Sequence, residues 1–127
     1  MKKYILLLLA SCSVSFAQDL KCSDFKTGRF RYADSSTVIT RTETHQTEVN
    51  PDKGYEIYGY IDWISECEYV LTWGKKTYVN PPKTKERNMA GEEIHVKIIK
   101  IEGNTMTYSA KFDGIEVTGD LIKIIDN

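Results

Sequence analysis

The chain has 127 residues, 41% hydrophobic and 28% charged, with 17 basic against 18 acidic side chains and a formal net charge of −1. That length supports one domain around one modest core. The acidic balance excludes the basic footprint of a nucleic-acid binder.

Lys2 and Lys3 give a positive start, Tyr4 to Ala10 (YILLLLA) is an uncharged apolar run, and Ser15-Phe16-Ala17 puts small residues where signal peptidase reads. This is the pattern of a secretory signal peptide over residues 1–17, too short to span a bilayer as a stable helix. It predicts an exported domain over 18–127 with no membrane span. Leu9-Ala10-Ser11-Cys12 also fits the bacterial lipobox, after which Cys12 would be acylated. Two outcomes stand together: a soluble periplasmic or secreted protein beginning at Gln18, or a lipoprotein held by a lipid anchor at Cys12. Removal of Lys2 and Lys3 takes the net charge from −1 to −3.

After residue 17 two cysteines remain, Cys22 and Cys67. An isolated pair in an oxidising compartment is expected to form a disulfide. There is no Cys-x-x-Cys, and neither histidine lies near a cysteine in sequence.

The mature segment reads as β throughout, because apolar and polar residues alternate with period two. Gly28, Phe30 and Tyr32 share one face, with Arg29 and Arg31 on the other. Ala33 to Ser36 is a turn, Thr37 to Thr44 a polar strand, and His45 to Val49 continues or re-enters the sheet. Asn50-Pro51-Asp52-Lys53-Gly54 carries strong turn chemistry. Tyr55 to Ile64 is the longest clear strand, with Tyr55, Ile57, Gly59, Ile61 and Trp63 on one face.

A break at Ser65-Glu66 leads to Cys67, Tyr69, Leu71 and Trp73 on one face, and Gly74-Lys75-Lys76 is expected to turn the chain. Residues 80–91 are the one long irregular stretch, where Pro81-Pro82 forbids a central strand and Met89-Ala90-Gly91 offers a single helical turn. Ile94 to Ile101 is a strand whose apolar parity changes at Ile98-Ile99, through a β-bulge or burial on both faces. Gly103-Asn104 and Asp113-Gly114 are hairpin turns bracketing Thr105 to Phe112, with Met106, Tyr108, Ala110 and Phe112 inward. Ile115 to Ile125 ends the chain, with a bend at Gly119.

Seven to nine strands joined mostly by short turns form a meander, and a meander of about eight closes into an up-and-down antiparallel barrel. The predicted fold is therefore all-β, one barrel with one disulfide. Its interior is either filled by side chains or holds one small ligand.

Three segments carry a family resemblance. Gly28-x-Phe30, soon after Cys22, resembles the glycine-aromatic start of the first strand in lipocalin-like barrels. Asp62 to Leu71 (DWISECEYVL) resembles the central tryptophan-cysteine-tyrosine hairpin of small bacterial lipocalin-like proteins. Asn88 to Ile98 (NMAGEEIHVKI) is similar to a segment of short exported bacterial proteins that often bear the name DNA topoisomerase IV. The similarity covers most of residues 22–125. It implies a lipocalin-like barrel and brings no established activity with it. Topoisomerase chemistry conflicts with the chain, which has no phosphate-cradling Gly-rich loop, no acidic metal-binding motif and no basic surface.

Candidate chemistry is sparse. His45 and His95 show no metal-ligand spacing, so neither a metal nor a cofactor is expected. Glu66, Glu68, Glu92, Glu93, Asp113 and Glu116 fall at turns and outward strand positions, where no acid/base pair is held in a cleft. Lys75, Lys76, Lys83, Lys85 and Arg87 form a local basic cluster suited to a solvated loop, lipid headgroups or an acidic partner. The distinctive set is the inward one: Phe30, Tyr32, Tyr55, Ile57, Trp63, Tyr69, Leu71, Trp73, Tyr108 and Phe112. These line an apolar pocket or pack the barrel solid. With no catalytic constellation, the sequence reads as a non-enzymatic exported barrel that binds a small hydrophobic ligand. The alternative is an envelope module that binds a protein partner, such as an enzyme inhibitor.

Overall fold

The computed structural model describes residues 20–80 and 88–125. The signal peptide, Cys12 and its lipobox, and Lys83, Lys85 and Arg87 of the basic cluster lie outside the described residues.

Eight antiparallel strands follow one another around a closed barrel: β1 (Gly28–Tyr32), β2 (Val38–Arg41), β3 (His45–Asn50), β4 (Tyr55–Ser65), β5 (Glu68–Tyr78), β6 (Glu93–Glu102), β7 (Thr105–Phe112) and β8 (Ile115–Ile124). This is the predicted up-and-down barrel. It closes where β1 pairs with β8, from Arg29 opposite Ile124 to Tyr32 opposite Leu121. Period two sets the faces: on β4, buried Ile57, Gly59 and Ile61 alternate with exposed Glu56, Tyr58, Tyr60 and Asp62. The β7–β8 hairpin turns through Asp113 (φ 49°) and Gly114 (φ 73°), the paired left-handed residues of a two-residue hairpin turn.

Three local expectations are corrected. Gly74-Lys75-Lys76 does not turn the chain, because β5 runs on to Tyr78. Ile57 pairs with Lys76 and Gly59 with Trp73, so Gly74 and Lys75 together oppose Tyr58 in a β-bulge. A Cβ at Gly74 would stand 2.8 Å from the Tyr58 carbonyl oxygen, so the close approach of the two backbones explains the glycine. Met89-Ala90-Gly91 is not helical but a turn closed by the Glu92 amide donating to the Met89 carbonyl at 3.1 Å. The strand expected over Thr37 to Thr44 shortens to Val38–Arg41, followed by a separate β3. The parity change in β6 is a bulge: Ile98 pairs with Tyr108 and Lys100 with Thr107, leaving Ile99 exposed between them.

One end of the barrel is closed by a 3-10 turn over Cys22–Phe25, which the sequence pattern did not signal. Phe25 is fully buried, its ring 5.7 Å from that of Phe30. The turn is fastened from three sides. Cys22 is bonded to Cys67 in the β4–β5 turn, with Cα atoms 5.3 Å apart. The Lys123 ammonium donates to the Asp24 and Thr27 carbonyls. Arg41 Nη1 donates to the Phe25 carbonyl at 3.0 Å.

Two apolar clusters fill the barrel. Phe25, Phe30, Ile39, Ile98, Met106 and Leu121 pack at the closed end, while Ile57, Ile61, Tyr69, Leu71, Trp73, Val96 and Ala110 occupy the middle and far side. Trp63 and Tyr108 touch both.

The bridge joins residues 45 apart, and the chain-entropy argument assigns such a loop about 4 kcal/mol. Replacing both Cys22 and Cys67 by Ser should lower the unfolding free energy by about that amount in urea titrations, near half the margin of a small domain. Peptide mapping of the unreduced protein should recover the two cysteines as one linked pair.

Candidate functional site: the barrel interior

The site begins with an alternation that contains little apolar contrast. On β2, Ile39 and Arg41 are buried while Thr40 is exposed; on β3, Gln46, Glu48 and Asn50 are buried and Val49 is exposed. Period two thus carries four large polar side chains into the barrel. Buried polar groups must find partners, and these find one another. Arg41 Nε donates to Gln46 Oε1 at 2.8 Å, and Gln46 Nε2 donates to Glu48 Oε1 at 2.9 Å. The Tyr32 hydroxyl donates to the same Glu48 oxygen. Arg41 Nη2 donates to the Tyr69 hydroxyl at 2.6 Å, and Asn50 Nδ2 to Thr37 Oγ1 at 3.0 Å.

Arg41 is 4% exposed, with its guanidinium carbon 4.7 Å from the Tyr69 ring centroid and 5.3 Å from that of Phe30. Its hydrogen-bonded path to Glu48 runs through Gln46. Glu48 is 6% exposed, and burial holds its carboxyl above the usual range despite the opposing pull of Tyr32, Arg41 and Gln46. Burial, reinforced by Glu48, pushes the Tyr32 hydroxyl well above its ordinary value. Tyr108 is pushed up to about 12, chiefly by burial, with Tyr69, Glu48 and Asp34 adding to it. Both phenols therefore stay protonated at neutral pH.

Against this network lies a cavity of about 150 Å³. Arg41, Gln46 and Tyr69 form its polar floor, Leu71, Trp73, Val96 and Ala110 its walls, and Ile94, Phe112 and Val117 its rim. Among the described residues, the cavity opens at the end opposite the 3-10 turn, and strand lengths explain why. β1 pairs only with Leu121 to Ile124 of β8, so Ile115 to Asp120 stand beyond it, paired only with β7. Ile115 and Val117 share the inward parity of buried Leu121, yet they are 53% and 43% exposed.

Of the residues singled out from sequence, Tyr32, Tyr69, Leu71, Trp73, Tyr108 and Phe112 come together at the cavity. Ile57 and Phe30 are buried elsewhere in the core. Tyr55 is half-buried, with the Lys76 ammonium 4.0 Å from its ring centroid. Trp63 is half-buried rather than enclosed, 4.7 Å from the Tyr69 ring with the Lys26 ammonium 5.3 Å away. Arg41, Gln46 and Glu48 were not foreseen. The signal that places them is positional: counting by twos from Ile39 leads to Arg41.

The other candidates lie outside the barrel. His45 sits on the outer wall beside Tyr58 and Tyr60, at ring separations of 5.2 and 5.4 Å. His95 is exposed, 4.0 Å from Glu93. Glu66, Glu93, Asp113 and Glu116 are exposed; Glu68 and Glu92 are half-buried. Glu68 lies 3.9 Å from Lys97, and Glu116 accepts from Ser109 at 2.6 Å. A larger groove of about 450 Å³, lined by residues including Ile64, His95, Lys97, Ile99, Lys111 and Glu116, runs along the outer wall. Its charges of both signs suit a solvated strand face. Among the described residues, no three His, Cys, Asp or Glu side chains gather into a metal site, and no helix is long and apolar enough to cross a membrane.

No protein-family model, curated protein or solved structure matches the chain.

The raised carboxyl of Glu48 fixes the sign of a pH effect. The folded state holds this proton more tightly than the unfolded state, so the contribution to stability is fully present below the ordinary value of 4.5. It is lost as pH rises from there through the raised value. Glu48→Gln keeps an acceptor for Tyr32 and Gln46 without the charge. Urea midpoints measured across pH should fall above 4.5 in the wild type relative to the variant, with the gap levelling off once Glu48 is ionised. A constant difference at all pH values would contradict the assignment.

Proposed function

We propose that the chain is a non-enzymatic, exported, lipocalin-like protein that holds one small, largely apolar ligand inside its barrel in the cell envelope. The observation that carries this reading is the cavity, with apolar walls, a polar floor and an opening at one end. The interior groups are suited to binding, because burial keeps Tyr32 and Tyr108 protonated and spends the Glu48 oxygen on two donors. Pockets for drug-sized ligands run to about 300–1,000 Å³, whereas an apolar cavity of about 150 Å³ accepts a molecule the size of benzene. The ligand is accordingly a single-ring compound rather than a long-chain lipid. Export rests on the signal-like residues 1–17 and agrees with the Cys22–Cys67 bridge, since disulfides persist in oxidising compartments. Cys12 provides a lipid anchor if processing occurs at the lipobox.

A second reading, a module for an envelope protein partner, is favoured by the same hairpin. Ile115 to Asp120 of β8 pair with β7 on one side and with no strand on the other among the described residues, and they include exposed Ile115 and Val117. An unpaired edge is a template for an added strand.

Trp73 in the cavity wall reports occupancy. Toluene should change the tryptophan fluorescence saturably, and palmitate should not compete. Gly119→Ala should weaken toluene binding, because the new Cβ would stand 2.5 Å from the Tyr108 hydroxyl and drive that ring into the cavity. Absence of toluene binding to the wild type would remove the small-ligand reading and leave the protein-binding one. Native mass spectrometry of protein taken from the envelope should show a chain beginning at Gln18 or an acylated Cys12. An intact residue 1–17 segment would refute export.

A further inference from the structure

The floor of the cavity holds more hydrogen-bond donors than its own residues can use. Arginine has five N–H bonds. Arg41 spends one on Gln46, one on the Phe25 carbonyl and one on Tyr69. Two remain, on a guanidinium that borders the cavity and is bonded directly to no carboxylate. The Tyr69 hydroxyl accepts from Arg41 and keeps its own hydrogen. The Tyr108 hydroxyl, also on the cavity, has no hydrogen-bond partner among the described residues. Glu48 acts on Arg41 only at a distance: its hydrogen-bonded path to Arg41 runs through Gln46, and its Oε1 accepts from Tyr32 and Gln46. Among the described residues, the nearly enclosed cation at the floor thus lacks a direct counter-charge, and Arg41, Tyr69 and Tyr108, with Trp73 Nε1 in the wall, offer unspent donors.

We propose that the barrel site selects a small aromatic carboxylate, with its acid group on Arg41, Tyr69 and Tyr108 and its ring between Leu71, Trp73 and Val96. This inference rests on the reading of the cavity as a ligand site. A carboxylate supplies two oxygens with several acceptor positions, and charge-assisted bonds to Arg and Tyr are about twice as strong as neutral ones. A volume of about 150 Å³ admits one six-membered ring and excludes an extended chain. The apolar walls accept the ring, and the deeply placed cation accepts only the end that carries charge.

The test compares benzoate, toluene and decanoate on the purified protein by calorimetry and tryptophan fluorescence. Benzoate should bind at least about tenfold more tightly than toluene, as a charge-assisted hydrogen bond allows, and decanoate should bind more weakly than benzoate. Tyr108→Phe removes a hydroxyl that has no partner among the described residues, so the fold should be kept. It should weaken benzoate by about tenfold and toluene by clearly less. Arg41→Met should abolish the preference for benzoate; because Arg41 also fastens the 3-10 turn, Tyr108→Phe decides the question if that variant does not fold. Toluene binding as tight as benzoate, or benzoate binding indifferent to Tyr108→Phe, would overturn the proposal while leaving a ligand cavity in place. Decanoate binding more tightly than benzoate would overturn the aromatic assignment. If none of the three binds, the cavity reading fails together with this one.

Discussion

The structure depends on a short ladder, Arg29 to Tyr32 of β1 against Leu121 to Ile124 of β8. Without it the meander would be an open sheet with two free edges, β1 and β8. With it, each strand has a neighbour on both sides, and the inward side chains face a common interior. The ladder's shortness matters as much as its existence. It closes the barrel around Phe30 and Leu121 and stops at Tyr32, so the far part of β8 rises above its neighbour. One brief contact thereby separates a sealed half from an open half.

The two halves are packed by different chemistry. The sealed half is apolar and stacked: Phe25, Phe30 and Met106 are wholly enclosed. Fully burying a side chain of this size contributes about 1.5–3 kcal/mol. Toward the open half, the interior becomes a hydrogen-bonded chain running from Arg41 through Gln46 to Glu48 and Tyr32. Such a chain is costly to break, because each member would leave a buried polar group unpaired. Arg41 joins the two regimes, binding the Phe25 carbonyl on one side and Tyr69 on the other.

The barrel was legible because its strands advertise themselves. Tyr55 to Ile64 and Thr105 to Phe112 alternate cleanly, and Asn50 to Gly54 and Asp113-Gly114 are unmistakable as turns. The bridge was legible because only Cys22 and Cys67 follow the signal-like segment. The aromatic part of the site was legible from the same parity, which brought Tyr69, Leu71, Tyr108 and Phe112 to one place. Its polar floor was not. β2 and β3 carry polar residues on both faces, so alternation gives no contrast from which to tell inside from outside. The Cys22–Phe25 turn is too short to have a period. Gly74-Lys75 reads locally as a turn, and only the backbone of Tyr58, sixteen residues upstream, makes it a bulge within a strand.

Both described termini lie at the sealed half. The Leu20 amide donates to the Gly103 carbonyl in the β6–β7 turn, and β8 ends at Ile124 beside the start of β1. Any polypeptide joined before Leu20 or after Ile125 therefore attaches on the side away from Ile94, Phe112 and Val117. A tether at either end, whether an acyl group, an affinity tag or a fused reporter, would orient the molecule with its opening toward the surrounding medium. Immobilisation through a terminus thus leaves the aperture unobstructed, whereas attachment through the Asp113-Gly114 hairpin would crowd it.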